Sequence, residues 1–445
     1  MTYLGNTPTT QSFIEGTDYF NGDGSTTAFT LSRSVVSVND IQATINNVVQ
    51  QPNTAYTVSG TTITFTSAPS AGTANIYVRY LSTTTQSITP SQNTVSYSTL
   101  NSDNQSKLGI SFKNRIINGA MVIDQRNAGA SIAGTSGLYP LDRFLYAATQ
   151  SSKGALQQNQ GSVTLPAGFT NYLGFTTASS SYSVLTGDTF YIAQRIEGYN
   201  VADLGWGTAN AKTVTLSFQV YSSLTGTFGG SLFNSTGDRS YPFSYTVSSA
   251  NTWNQISVAI TGDTTGTWLK TNGIGIQVGF GLGAGATYSG TANTWASTLY
   301  TQPTGTVSVV GTANATFYIT GVQFEVGTQA TTFDYRDYGR ELILCQRYYF
   351  VATGNKSNTN YPALGSGNIQ SAVNARICVT YPIYMRTIPT ASISGTIVIS
   401  CDTDRSSTAL GSVYNGTGTS MLGFVISSGT AGNGATAYAQ GTNNY

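Results

Sequence analysis

Five acids could serve carbohydrate chemistry: Asp188, Glu197, Asp203, Asp263 and Glu325. Cleaving a glycosidic bond takes two carboxyl groups across one cleft, one to protonate the leaving oxygen and one to attack or activate water. Glu197 (AQRIEG) and Glu325 (VQFEVG) both fall inside strand-like blocks. There a carboxylate is expected to pair with a neighbour such as Arg195 or to serve the backbone, so no catalytic pair is assigned. The chain has no histidine. That excludes Ser-His-Asp and Cys-His catalysis, HExxH metal sites and three-histidine zinc sites. Asn21-Gly22-Asp23-Gly24 offers oxygen ligands but lacks the spaced acids and terminal Glu of a calcium loop, and reads as a turn. No GxxxxGKS/T phosphate loop is present. Neither a metal site nor a cofactor is expected.

Sugar binding asks for less. Aromatic rings stack on the apolar faces of pyranoses, while amides, acids and phenols read the hydroxyls. Trp253 (NTWNQISVAI) and Trp268 (TGTWLK) read as core or rim residues, because each adjoins an alternating block. Trp206 lies in a glycine-rich loop, LGWGTAN, and suits either a core or a ligand role. Trp295 lies in the polar segment Gly281–Pro303, with Tyr288 and Tyr300 close by in sequence. Three large aromatics among Gly, Thr and Ser either meet a ligand or pin the loop to itself or to a neighbouring subunit. The candidate glycan-binding set is therefore Trp295, Tyr288, Tyr300 and Trp206.

The elements that must carry these residues are short strands. Charged residues make up 8% of the chain, against roughly a quarter in ordinary soluble proteins. Net charge is +1, so no basic field addresses nucleic acid or an anionic membrane. The 28 Tyr, 19 Phe and 4 Trp argue against the usual low-aromatic disorder. Cys345, Cys378 and Cys401 are far apart and odd in number, which predicts buried free thiols and no disulfide framework. The opening MTYLGNTPTTQSF has no basic run and no apolar core, so no signal peptide is expected. No apolar run approaches the ~18 residues of a membrane span.

Period-two alternation is clear in Thr61 to Phe65, in Val214, Leu216, Phe218 and Val220, and in Ile274, Ile276, Val278 and Phe280. It also marks Ala315 to Val326, where Phe317, Ile319, Gly321 and Gln323 are expected on one face and Tyr318, Thr320, Val322 and Phe324 on the other. From Arg340 the spacing changes. Leu342, Cys345 and Tyr349 would share one stripe of a helix over Arg340–Phe350, with Asp337 near its N-cap. The predicted fold is all-β and multidomain. Residues 1–82 form a small antiparallel β-domain, 83–112 a linker, 113–337 a jelly-roll β-sandwich, and 338–445 a short helix followed by a small β-rich domain. Residues 428–445 read as a loop-like end or an exposed edge.

Two stretches carry a family resemblance. DGSTTAFTL followed by NTAYTVSGTTITFTSAPSAGTANIYVRYL resembles the N-terminal module of tail fibres from short-tailed bacteriophages. Asn114-Arg115-Ile116-Ile117-Asn118-Gly119-Ala120-Met121, Asp124-Gln125-Arg126, Asp142-Arg143-Phe144 and the run Ile319 to Gly327 resemble a carbohydrate-binding jelly roll of phage tail proteins. RELILCQRYYF and YPIYMRTIPTASIS resemble the domain that follows it. The resemblance implies a virion tail protein, made in the host cytoplasm. Its N-terminal domain would be received by tail or adaptor proteins, and its partner outside would be host surface polysaccharide or lipopolysaccharide. It also implies a parallel homotrimer. From the residues themselves, no membrane insertion and no enzymatic activity are expected. Two other classes stay open: a connector or decoration protein that binds no sugar, and a polysaccharide depolymerase. The parallel β-helix typical of the last would show a short internal repeat, and none is visible.

Overall fold

Alternating apolar residues build four larger β-sheets and two two-stranded ones among the described residues. A computed structural model describes residues 16–81, 113–161, 163–352, 363–371 and 374–392, and the strands within 397–441. The expected linker 83–112, Cys401 and most of 428–445 lie outside the described residues. Two units form, Met1–Thr99 and Leu100–Tyr445.

The first unit has six strands: β1 (Thr17–Gly22), β2 (Ala28–Val35), β3 (Ile41–Ile45), β4 (Val48–Val49), β5 (Tyr56–Phe65) and β6 (Gly72–Tyr80). They form a sheet ordered β1-β6-β3-β4 and a β2-β5 pair. Ile41, Ala43, Tyr56, Ile63, Ile76 and Val78 fill the space between them and are fully buried. The Asn21–Gly24 stretch is a turn. Asp23 accepts from the backbone N–H of Ser25 and Thr26 and from the Thr26 hydroxyl, which hold its carboxyl well below the usual range.

In the second unit, residues 113–131 hold no regular strand. Side-chain amides satisfy the backbone of residues 114–125 instead. Asn114 accepts from Phe324 N–H and donates to Val322 O. Gln194 brackets Ile117, accepting from its N–H and donating to its carbonyl. Asn118 ties Ile123 to Asp142. The resemblance motifs are thus one connected structure.

Thirteen strands follow: β7 (Ile132–Ala133), β8 (Phe144–Ala148), β9 (Gly154–Gln158), β10 (Leu173–Thr177), β11 (Thr189–Glu197), β12 (Val214–Ser222), β13 (Gly226–Phe233), β14 (Ser240–Val247), β15 (Trp253–Ile260), β16 (Ile274–Ala284), β17 (Ser289–Gly290), β18 (Gln302–Pro303) and β19 (Thr316–Val326). They make a six-stranded sheet, β15-β12-β19-β10-β9-β7, facing a five-stranded one, β14-β13-β16-β11-β8. Phe144, Phe175, Phe190, Phe218, Phe228, Phe243, Phe280 and Phe317 lie between the two, all fully buried. Burying side chains of this size is worth about 1.5–3 kcal/mol each before entropy is set against it. This is the expected jelly-roll sandwich.

Strand β19 departs from the expected alternation. Phe317 and Ile319 face the core, but so do Val322 and Phe324, three residues further on. The register against β12 slips between Ser217 and Gln219. Gly321 sits at φ +61, and a Cβ there would stand 2.7 Å from the Phe169 ring. A β-bulge at this glycine turns the second half of the strand over.

Helix α1 (Tyr338–Gln346) is shorter than expected. Asp337 caps it, accepting from Arg340 N–H at 2.9 Å. Cys345 is buried against Ile117 and Ile123, while Tyr349 lies beyond the helix end. Seven strands close the chain: β20 (Ala363–Ser371), β21 (Asn374–Thr380), β22 (Ile397–Ser400), β23 (Arg405–Ser407), β24 (Leu410–Val413), β25 (Met421–Ser427) and β26 (Thr436–Gly441). Their order is β23-β22-β26-β20-β21-β25-β24. Among the described residues no helix is long and apolar enough to cross a membrane.

Candidate functional site

The outer face of the six-stranded sheet carries four aromatic rings in one closed group. Its origin is register. Val214, Leu216, Phe218 and Val220 of β12 point to the core, so Gln219 and Tyr221 must point out. Pairing sets Trp253 of β15 opposite Tyr221, and Tyr221 opposite Tyr318 of β19. Tyr172 enters from the residue before β10. Centroid distances around the group are 5.6 Å for Trp253–Tyr221, 5.3 Å for Tyr221–Tyr318, 5.0 Å for Tyr318–Tyr172 and 5.8 Å for Tyr172–Trp253. Tyr221 and Tyr318 are stacked at 8°.

Half of this group is covered. Tyr172 and Tyr318 are 1% and 5% exposed. The Tyr172 hydroxyl donates to the carbonyls of Gln160 and Gly161, and burial pushes this phenol up, so it stays neutral. Trp253 and Tyr221 are only half-buried. The Trp253 indole donates to Thr164 O at 2.8 Å, which fixes the ring. Beside them Gln219 Nε2 donates to Gln255 Oε1, and Gln255 and Ser257 are exposed. Fixed ring surface next to amide and hydroxyl groups suits a pyranose, whose C–H face is apolar and whose rim is polar. Held rings lose little entropy when a ligand arrives.

No family model matches the chain, and no curated protein matches it. Solved structures do. The enzymatically active domain of tailspike protein 4 from bacteriophage CBA120 aligns over 48% of this chain at 11% identity and TM-score 0.25, and the match spans 21% of that chain. The N-terminal cellulose-binding domain of Cellulomonas fimi β-1,4-glucanase C aligns over 36% of this chain and 82% of its own, at 13% identity and TM-score 0.19. The family 11 carbohydrate-binding module of a Clostridium thermocellum cellulosomal cellulase aligns over 46% and 99%, at 8% identity and TM-score 0.21. No activity passes to the present chain from likeness at this level.

The residues singled out from sequence are placed as follows. Trp206 is 3% exposed, and its indole donates to Lys212 O at 2.9 Å. It meets Trp268 and Trp295 edge-on at 4.9 and 5.4 Å. It is a core residue with no ring face for a sugar, a correction to the glycan role, and the αL Gly205 after a 3-10 turn is what turns the loop inward. Trp295 packs half-buried on the same cluster and on Tyr241, donating to Thr261 O. Tyr300 covers Gly290, where a Cβ would stand 2.2 Å from its ring. The Tyr288 carbonyl accepts from Thr301 N–H at 2.8 Å. Among the described residues no ring contact joins Tyr288 or Tyr300 to Trp295. The segment pins itself across the outer side of the five-stranded sheet, where Gly229 and Gly281 leave room for Pro303 and Gln302.

Each candidate carboxylate has its own partners. Asp188 takes Thr149, Tyr182 and Leu185 N–H. Asp203 takes Arg115, and Asp263 takes Arg239 through two 2.7 Å bonds. Glu325 takes Gln323 and Thr331. Glu197 pairs with Arg347 and the Tyr348 hydroxyl, not with Arg195. Burial alone would raise the Glu197 carboxyl, yet those bonds bring it below its ordinary value. Among the described residues no three metal-binding side chains form a group.

Sequence reading passed over Trp253 as rim and did not mark Tyr221, Tyr318 or Tyr172. The signal for Tyr221 was available, since it falls on the outward parity of β12. Trp253, Tyr318 and Tyr172 needed strand pairing and the bulge.

Proposed function

We propose that this chain is a structural component of a phage virion tail that adheres to host surface glycans. The N-terminal β-domain, residues 1–82, attaches it to tail or adaptor proteins, and the sandwich meets the sugar. The assembly is a homotrimer, as the family resemblance implies, and it acts without enzymatic activity. The observation that carries the adhesion reading is the Trp253–Tyr221 ring surface beside Gln219 and Gln255 on the outer face of the six-stranded sheet. The separate partners of the five carboxylates support binding without turnover.

The test is saturable binding of the full chain to immobilised neutral oligosaccharides and host envelope, with Trp253→Ala alongside. The expected result is binding by the native chain and a roughly five- to tenfold loss in the variant, since a stacking ring contributes about 1–1.5 kcal/mol. Equal binding by both would overturn the site. Absence of any sugar binding by a well-folded oligomer would favour the connector role. Release of reducing ends would favour a depolymerase.

A further inference from the structure

A second cleft lies in the same unit, where the resemblance motifs meet. Its volume is about 200 Å3, too small for a drug-sized ligand but enough for one anionic group. Arg126, Arg143, Arg195 and Arg386 line it, from four separate parts of the chain. Their surroundings are unusual for arginine. The Arg126 guanidinium lies 3.5 Å from the Tyr349 ring centroid and 4.8 Å from that of Tyr139. Its Nε is buried with no hydrogen-bond partner, and among the described residues the group has no carboxylate partner. Arg143 lies 3.5 Å from the Tyr348 ring, donates to Arg195 O, and also leaves its Nε unpartnered. It is held at φ +74, a strained conformation for a long side chain. Among the described residues the Arg195 guanidinium donates to Gln277 Oε1, and that of Arg386 to Asn272 O.

The acids nearby offset only part of this charge, Asp142 acting on Arg126 and Glu197 on Arg143 and Arg386. Glu197 is taken by Arg347, and Asp142 accepts from the Gln125 N–H and side-chain amide. Asp124 is spent on the N–H groups of Arg126, Asn127 and Gly129. Five guanidinium groups, Arg347 included, stand against three carboxylates. At least two positive charges therefore gather here, in a chain whose total is +1. Guanidinium groups with donors to spare, two of them held by stacking on tyrosines, are arranged for an oxyanion.

We propose that this cleft binds the anionic group of an acidic sugar, a carboxylate or a phosphate carried on a glycan. The proposal deepens the adhesion reading and rests on it for the sugar. The anion is argued from the arginines alone. Neutral rings on the sheet and an anion-seeking cleft would read two different parts of one surface polysaccharide.

The test titrates the full chain calorimetrically with an oligogalacturonate, a sugar phosphate, a neutral oligosaccharide and inorganic phosphate. Arg195→Gln and Arg126→Gln are measured in parallel, with melting temperatures recorded. The expected result is acidic-sugar binding that falls at least tenfold in Arg195→Gln, weakens several-fold from 50 to 300 mM salt, and persists in Trp253→Ala. Preference for oligogalacturonate would mark a carboxylate site, and preference for the sugar phosphate a phosphate site. No acidic-sugar binding, binding indifferent to both arginine variants, or inorganic phosphate binding as tightly as either sugar would overturn the proposal. Loss of neutral-sugar binding alone would count against the adhesion face and leave the cleft standing.

Discussion

The sandwich holds two clusters of large aromatic rings, and they meet opposite fates. Trp206, Trp268 and Trp295 pack edge-on at 4.9 to 5.6 Å, with indole donors spent on Lys212, Thr265 and Thr261 carbonyls. Trp253, Tyr221, Tyr318 and Tyr172 sit at similar spacings on the opposite side of their sheet. The first cluster joins the core between the sheets, and the second stands on an outer face with Trp253 and Tyr221 half open. Ring type and ring contact do not separate core from site. What separates them is the parity of the strand position and whether a covering segment reaches the ring.

Four substitutions would break or sharpen this contrast. The largest effect belongs to Trp206→Ala. Removing a buried tryptophan from the centre of three rings should cost about 3–5 kcal/mol, read as a lower denaturant midpoint, with sugar binding unchanged in the folded fraction. A loss below about 1 kcal/mol would mean that the cluster is not core.

Asp142→Asn comes next and supplies a reference of another kind. Burial pushes the Asp142 carboxyl up from 3.8 to about 6, against the Gln125 hydrogen bonds. A raised folded value means that the protonated fold is favoured. The contribution is complete below about pH 4 and is lost as pH rises through 6, on the order of 3 kcal/mol. With no histidine in the chain, little else titrates in that window. Native stability should therefore fall relative to the variant from pH 4.5 to 7.5, measured by thermal melts. The penalties of the tryptophan variants should be flat across it. Parallel slopes for native chain and Asp142→Asn would refute the assignment.

Trp295→Ala should cost about 2 kcal/mol, because the ring is half-buried and its indole is bonded. Its sugar binding should hold, which is the reverse of what a ligand loop would show. Trp253→Ala should be the mildest in stability, below about 1 kcal/mol, and the most severe in neutral-sugar binding. A melting loss as large as that of Trp206→Ala would merge the two clusters into one structural role.

Much of the architecture was legible in the sequence. Strands such as Val214–Ser222 and Ile274–Ala284 announce themselves by alternation, because one face must be apolar. The N-cap at Asp337 was legible from its residue type. The bulge at Gly321 was not, since one extra residue leaves the apolar content intact and shifts only its phase. The site was harder still. Arg126, Arg143, Arg195 and Arg386 are far apart along the chain, and only the fold makes them neighbours. Trp206 shows the converse: a glycine-rich loop looks open in sequence, yet a left-handed glycine can turn its one large residue inward.

Cys345 has a practical consequence. It is fully buried under α1, and burial pushes its thiol far above the range where a thiolate exists in water at neutral pH. Thiol reagents attack the thiolate, so this sulfur should stay silent until α1 lifts from Ile117 and Ile123. With Cys378 and Cys401 changed to Ser, the rate of Cys345 labelling becomes a clock for that opening. It would time the seam beside the arginine cleft without any probe being added.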